Sequence, residues 1–179
     1  MRQTIRVIML SLIVLGLSFS WATVVSAQSS ESLTAEEVEG IRTNCVSINN
    51  TVNQLHASDA LLRVNRGQIY ESMASSLMDR FNDRLRNNSL DNMAMTTVTD
   101  SYRNALNTFR SHYINYEQKL SQALRINCSA EPAKFYQTLQ EARVLRATVH
   151  EDVNKLHDLI NDYRSSVNGF LVNYERVSN

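Results

Sequence analysis

Four histidines and two cysteines are the residues of this chain best suited to metal binding or nucleophilic attack: His56, His112, His150 and His157, with Cys45 and Cys128. His150 and His157 lie two turns apart on one helical face, about 10 Å along the axis, too far to share one ion. A helical metal pair needs a spacing of three or four, as in HExxH, and that motif is absent. Glu151, Asp152 and Asp158 beside them read as a solvated charged face. CxxC, CxxCH, GxSxG and P-loop patterns are missing, and no Ser, His and Asp fall in an order with local support. The expectation is a chain without metal, cofactor or catalytic centre, and not an enzyme.

Cys45 and Cys128 form an even count, which in an oxidising compartment suggests a bridge. Cys128 falls in a break between two helical segments, and folding the second segment back along the first brings that break near residues 45 to 52. The enclosed loop is long, so a disulfide here contributes about 4 kcal/mol by loss of unfolded-chain entropy. The alternative is a pair of buried free thiols.

The remaining candidate chemistry is carried by polar residues that interrupt apolar stripes. Aligning the helices by their loops brings Arg66, Tyr113 and Arg146 to one level, with Arg63, His112, Glu117 and Arg143 nearby. Arg66 and Arg146 occupy slots that a heptad fills with apolar groups. Two readings follow: a polar layer that fixes register, its long stems packed and its charges snorkelling outward, or an anion-accepting notch between helices.

These residues need long elements to hold them, and composition supplies the reason. The 179 residues include 4 Gly and 1 Pro, against about 7% and 5% in ordinary proteins. Sheets, hairpins and phosphate loops consume such residues at their turns, so a few long helices remain. Thr34-Ala35-Glu36-Glu37 is a capping-box pattern. Steps of three and four then pass through Ile41, Cys45, Ile48, Val52, Leu55, Asp59, Leu62, Arg66, Ile69 and Met73, eight of ten slots being apolar. Leu77, Phe81 and Leu85 continue with a drift. Ser58-Asp59 could cap a fresh helix, so one long helix or two collinear ones both fit. A break at 87–91 precedes a second stripe through Val98, Tyr102, Leu106, Phe109, Tyr113, Tyr116, Leu120 and Ala123. A second break at 126–131 ends at Pro132, placed for a first helical turn. The third stripe runs Phe135, Leu139, Ala142, Arg146, Val149, Val153, Leu156, Ile160, Tyr163, Val167, Phe170 and Tyr174.

Such heptads predict an all-α, elongated antiparallel three-helix bundle with coiled-coil-like packing, or four helices if the first breaks near Ser58-Asp59. The third helix would be about 65 Å long and the second about 50 Å. Unmatched ends leave Val167, Phe170, Leu171 and Tyr174, with Val38 and Ile41, as candidate partner contacts. The tyrosines sit at heptad positions suited to boundary-core packing. Frequent Asn makes the isolated helices weak. Gly67, next to Arg66, marks a place for a close helix approach or a kink.

Residues 1–27 read as a secretory signal: Arg2 and Arg6, an apolar run from Val7 to Val25, and small residues at Val25-Ser26-Ala27. The run is long enough for an uncleaved anchor, which would be the chain's single route to a membrane. Residues 28–34 read as a flexible linker and 35–179 as one helical-bundle domain. Without Arg2 and Arg6 the 18 basic residues fall to 16 against 18 acidic ones, a formal charge of −2. No dense Lys/Arg block exists to hold nucleic acid.

The stretches around Thr43-Asn44-Cys45, the run Ala60-Leu61-Leu62-Arg63-Val64-Asn65-Arg66-Gly67-Gln68, and Cys128 followed by Pro132 and Phe135-Tyr136 are similar to uncharacterised secreted helical proteins predicted in ultrasmall candidate-phyla bacteria. The resemblance implies an extracellular or cell-envelope helical protein with a paired-cysteine staple, and it carries over no functional residue. The functional expectation is a non-catalytic, extracytoplasmic bundle that works through contact with a protein or cell surface, self-association included. The competing expectation is a small-ligand or anion-binding module built on Arg66 and Arg146.

Overall fold

The computed structural model describes residues 33–178; the apolar start at 1–27 and residues 28–32 lie outside the described residues. Helix formation begins at the capping box. The Thr34 hydroxyl accepts the Glu37 amide at 3.3 Å, and the Glu37 carboxylate accepts the Thr34 amide at 2.8 Å. Thr34 thus belongs to the helix cap rather than to the linker. Helix α1 (Ala35–Thr43) passes through an irregular step at Asn44 into α2 (Cys45–Ser72). A π-helical turn (Met73–Met78) leads into α3 (Asp79–Asn87). After a short turn come α4 (Met93–Leu124) and, after a second, α5 (Pro132–Ser178). No strand occurs among the described residues.

Both turns fall where the sequence predicts breaks. At the first, Ser89 takes φ 55°, the Leu90 amide donates to the Leu85 carbonyl at 2.9 Å, and Asp91 accepts the Met93 amide at 3.0 Å. At the second, the Asn127 side chain accepts the Ser129 and Ala130 amides, and Pro132 opens α5 because a missing N–H costs nothing in a first turn.

Cross-helix contacts set the register. Partners on α4 fall in number as those on the first arm rise: Asp59 meets Tyr116, Tyr70 meets Tyr102, and Asn82 meets Thr99. Partners on α5 rise instead: Arg146 for Asp59, His157 for Tyr70, Tyr163 for Met78. The core divides in two. One cluster joins Val52, Tyr113, Tyr116, Leu120, Ile126, Cys128, Phe135 and Ala142. The other gathers residues from Tyr70 to Leu85 with Met95, Tyr102, Leu106, Phe109, Leu156, Leu159 and Tyr163. The α4 stripe is as predicted: seven of its eight positions are buried and Val98 is half-buried.

The first arm departs from its pattern. Helix α2 runs unbroken through Ser58-Asp59, and Asp59 turns into the protein instead of capping a helix. Its predicted stripe is rotated partly outward, leaving Leu55, Leu62 and Ile69 37%, 51% and 49% exposed. Between Val52 and Tyr70 the side chain that is buried is Asp59. Its ion pair and the Tyr70 contacts fix the helix about a quarter turn away from its apolar stripe. The π-helical turn adds a residue per turn and brings Met78, Asn82 and Leu85 back to the core. Gly67 marks no close approach, since an added Cβ would meet nothing beyond its own helix within 4 Å, and α2 continues through it.

Candidate functional site

Cys45 and Cys128 form a disulfide, with their Cα atoms 5.4 Å apart, inside the usual 4.4–6.8 Å range. Cys128 is fully buried, so the bridge is part of the core and fastens the second turn to the start of α2.

Above the bridge lies a polar layer, seven residues away from the predicted one on α2. Arg146 grips Asp59 with two nitrogens, Nε to Oδ2 at 2.7 Å and Nη2 to Oδ1 at 3.2 Å. The Tyr116 hydroxyl donates to Asp59 Oδ2 at 2.7 Å. Burial pushes the Asp59 carboxyl up, but the hydrogen bonds from Arg146 and Tyr116 outweigh it and hold the group below its ordinary value. Burial, reinforced by the bond to Asp59, pushes the Tyr116 phenol far up. Asp59 therefore supplies the counter-charge that an arginine notch would otherwise draw from a ligand.

The other predicted members of the layer scatter. Arg63 lays its guanidinium over the Tyr113 ring, 5.2 Å from the centroid, a cation–π contact. Arg66 is exposed, and Arg143 reaches Gln140 on its own helix at 3.4 Å. Glu117 bonds His56 at 3.3 Å and accepts Ser121 Oγ at 3.0 Å. Glu141 pairs with Lys119. Arg66, Tyr113 and Arg146 are thus not brought into one site.

Ser121, His56 and Glu117 are a serine, a histidine and an acid within reach, but Ser121 and Glu117 both meet His56 Nε2. A relay needs the acid on the opposite ring nitrogen, where it orients the base. His112 Nδ1 bonds Asp152 Oδ2 at 2.7 Å. Among the described residues no three His, Cys, Asp or Glu side chains gather around a point that could hold a metal.

A second polar layer, unread in the sequence, joins α3, α4 and α5. Asn82 Nδ2 donates to Thr99 Oγ1 at 2.9 Å, and Tyr163 OH reaches Asn82 Oδ1 at 2.9 Å and the Met78 carbonyl at 3.2 Å. Asn92 donates to the Asn82 carbonyl. Burial pushes the Tyr163 phenol up to about 12. The one sequence signal was Asn82 itself, a poor helix former spaced for the core from Met78 and Leu85.

At the far end, Val167 and Phe170 are half-buried against the core, Phe170 meeting Phe81 edge-on at 6.5 Å. Leu171 and Tyr174 are about half exposed, with Val172 and Val177 more so. The predicted contact set therefore splits into two supports and two surface residues. Val38 and Ile41 are half-buried, and Ile41 packs on the disulfide-end core. A comparison with known proteins finds no matching family model, curated protein or solved structure.

Proposed function

We propose that this chain is an elongated antiparallel three-helix bundle with coiled-coil-like packing. In this reading it is non-catalytic, secreted or held at the cell envelope, and acts through contact with a protein or cell surface. One observation carries the reading: exposed large apolar side chains gather in two places. Leu55, Leu62 and Ile69 stand out on one face of α2, and Leu171, Tyr174 and Val177 at the end of α5. Grouped exposed apolar residues mark contact surfaces, whereas single ones are ordinary. A buried disulfide supports an oxidising, extracytoplasmic setting. Among the described residues no helix is long and apolar enough to cross a membrane. The arginine layer argues for packing rather than anion capture, because Asp59 neutralises Arg146 internally.

Size-exclusion and crosslinking of the secreted protein test the reading. Leu62→Glu with Ile69→Glu, or Leu171→Glu with Tyr174→Glu, is expected to abolish association while leaving the melting temperature within a few degrees. Unchanged association in both double variants sinks it. Mass spectrometry of the secreted protein, unreduced, reads the bridge and is expected to place the mature terminus after Ala27.

A further inference from the structure

The two halves of the core leave a gap along α2. No apolar side chain from 53 to 69 belongs to either cluster or is among the half-buried apolar residues packed on one, and Asp59 is the one buried side chain in that span. What ties the span down is polar: Asp59 to Arg146 and Tyr116, Arg63 over Tyr113, and His56 to Glu117. Its ends are fixed differently. Below, Val52 is buried and Cys45 is bridged to Cys128. Above, Tyr70 is buried, its carbonyl accepts the Tyr102 hydroxyl, and its own hydroxyl meets His157.

We propose that residues 53–69 are a strap that opens as a unit from α4 and α5 between two fixed ends, with the Asp59 ion pair as its clasp. Local opening is cheapest where few apolar contacts are buried, and no apolar side chain of this span is buried. Once released, the segment does not stay helical by itself. A free helix of this length is marginal in water, and Asn53, Asn65 and Gly67 lower its propensity further. Release therefore exposes its amides, while α4 and the ends of the strap remain protected.

Hydrogen exchange by mass spectrometry on the full chain tests this. Amides of 53–69 should exchange at least about tenfold faster than those of 102–120 and 78–85, as expected of a sub-global opening. Asp59→Asn should accelerate 53–69 by at least about a further tenfold, with 53–69 still exchanging well before 102–120; Arg146→Gln provides the same reading if the first variant does not fold. Equal protection of 53–69 and 102–120 in the unaltered protein overturns the proposal. So does an Asp59→Asn variant in which 53–69 exchanges no faster than in the unaltered protein.

Discussion

Asp59 is a carboxylate kept ionised where burial opposes its charge, and that conflict can be measured. Removing one partner of a buried ion pair costs about 3–5 kcal/mol. The Arg146 side chain is half in solvent, so Asp59→Asn should cost about 2–3 kcal/mol in denaturant melts at pH 7. A double-mutant cycle with Arg146→Gln should return a coupling of about 1–2 kcal/mol. The pH dependence has a fixed sign. The folded carboxyl lies below its ordinary value of 3.8, so its contribution is present above that value and fades as pH falls through the folded one. The stability gap between the unaltered protein and Asp59→Asn should therefore be open at pH 7 and narrow by pH 3, in paired urea midpoints. A gap that widens on acidification contradicts the assignment. The sequence marked Arg146 as an interruption and Asp59 as a possible helix cap, but not that they are each other's partner. Aligning helices by their loops put Arg66 opposite Arg146, an error of one heptad, because loop lengths leave sliding along the axis undetermined. Tyr163 was read as core, but its bond to Asn82 was not, because polar residues at apolar spacing are recognisable as a layer only once their partners are placed.

Periodicity reads an element well when one interaction dominates its packing. All of the α4 stripe was legible because its apolar positions coincide with the face toward its neighbours, as was α5 from Phe135 to Tyr163. On α2 the apolar stripe and the packed face differ, since Asp59 and Tyr70 override Leu62 and Ile69. The π-helical turn is invisible to a fixed 3.6-residue period. It makes an unusual test: deleting Ser76, an exposed residue within the turn, removes the extra residue while the faces on either side keep their register. That variant should fold with a melting temperature within about 5 °C of the parent. Deleting Asn65, within regular α-helix, should abolish cooperative unfolding because it misplaces Asp59 relative to Tyr70. Gly67→Ala should stabilise the protein by about 0.5–1 kcal/mol in the same melts, since open space awaits the methyl group. Destabilisation would mean that the helix needs the glycine.

For the molecule as a whole, the disulfide closes a span of 83 residues, and chain entropy assigns such a closure about 4–5 kcal/mol. Cys45→Ser with Cys128→Ser should lower stability by that order in urea midpoints, whereas a loss below about 1 kcal/mol would show an unfolded chain already compact around the bridge. All-helical architecture was legible at this scale from four glycines and one proline; which faces remain uncovered was not, because that depends on how α2 is rotated. The bridge also governs what a cut does. The turn at Ser89 is exposed and lies between the two cysteines. A protease that severs it makes two polypeptides but not two particles: the pieces migrate as one species until a reductant separates them. Nicking and loss are thus uncoupled in this molecule, and a protease can clip it without dispersing it.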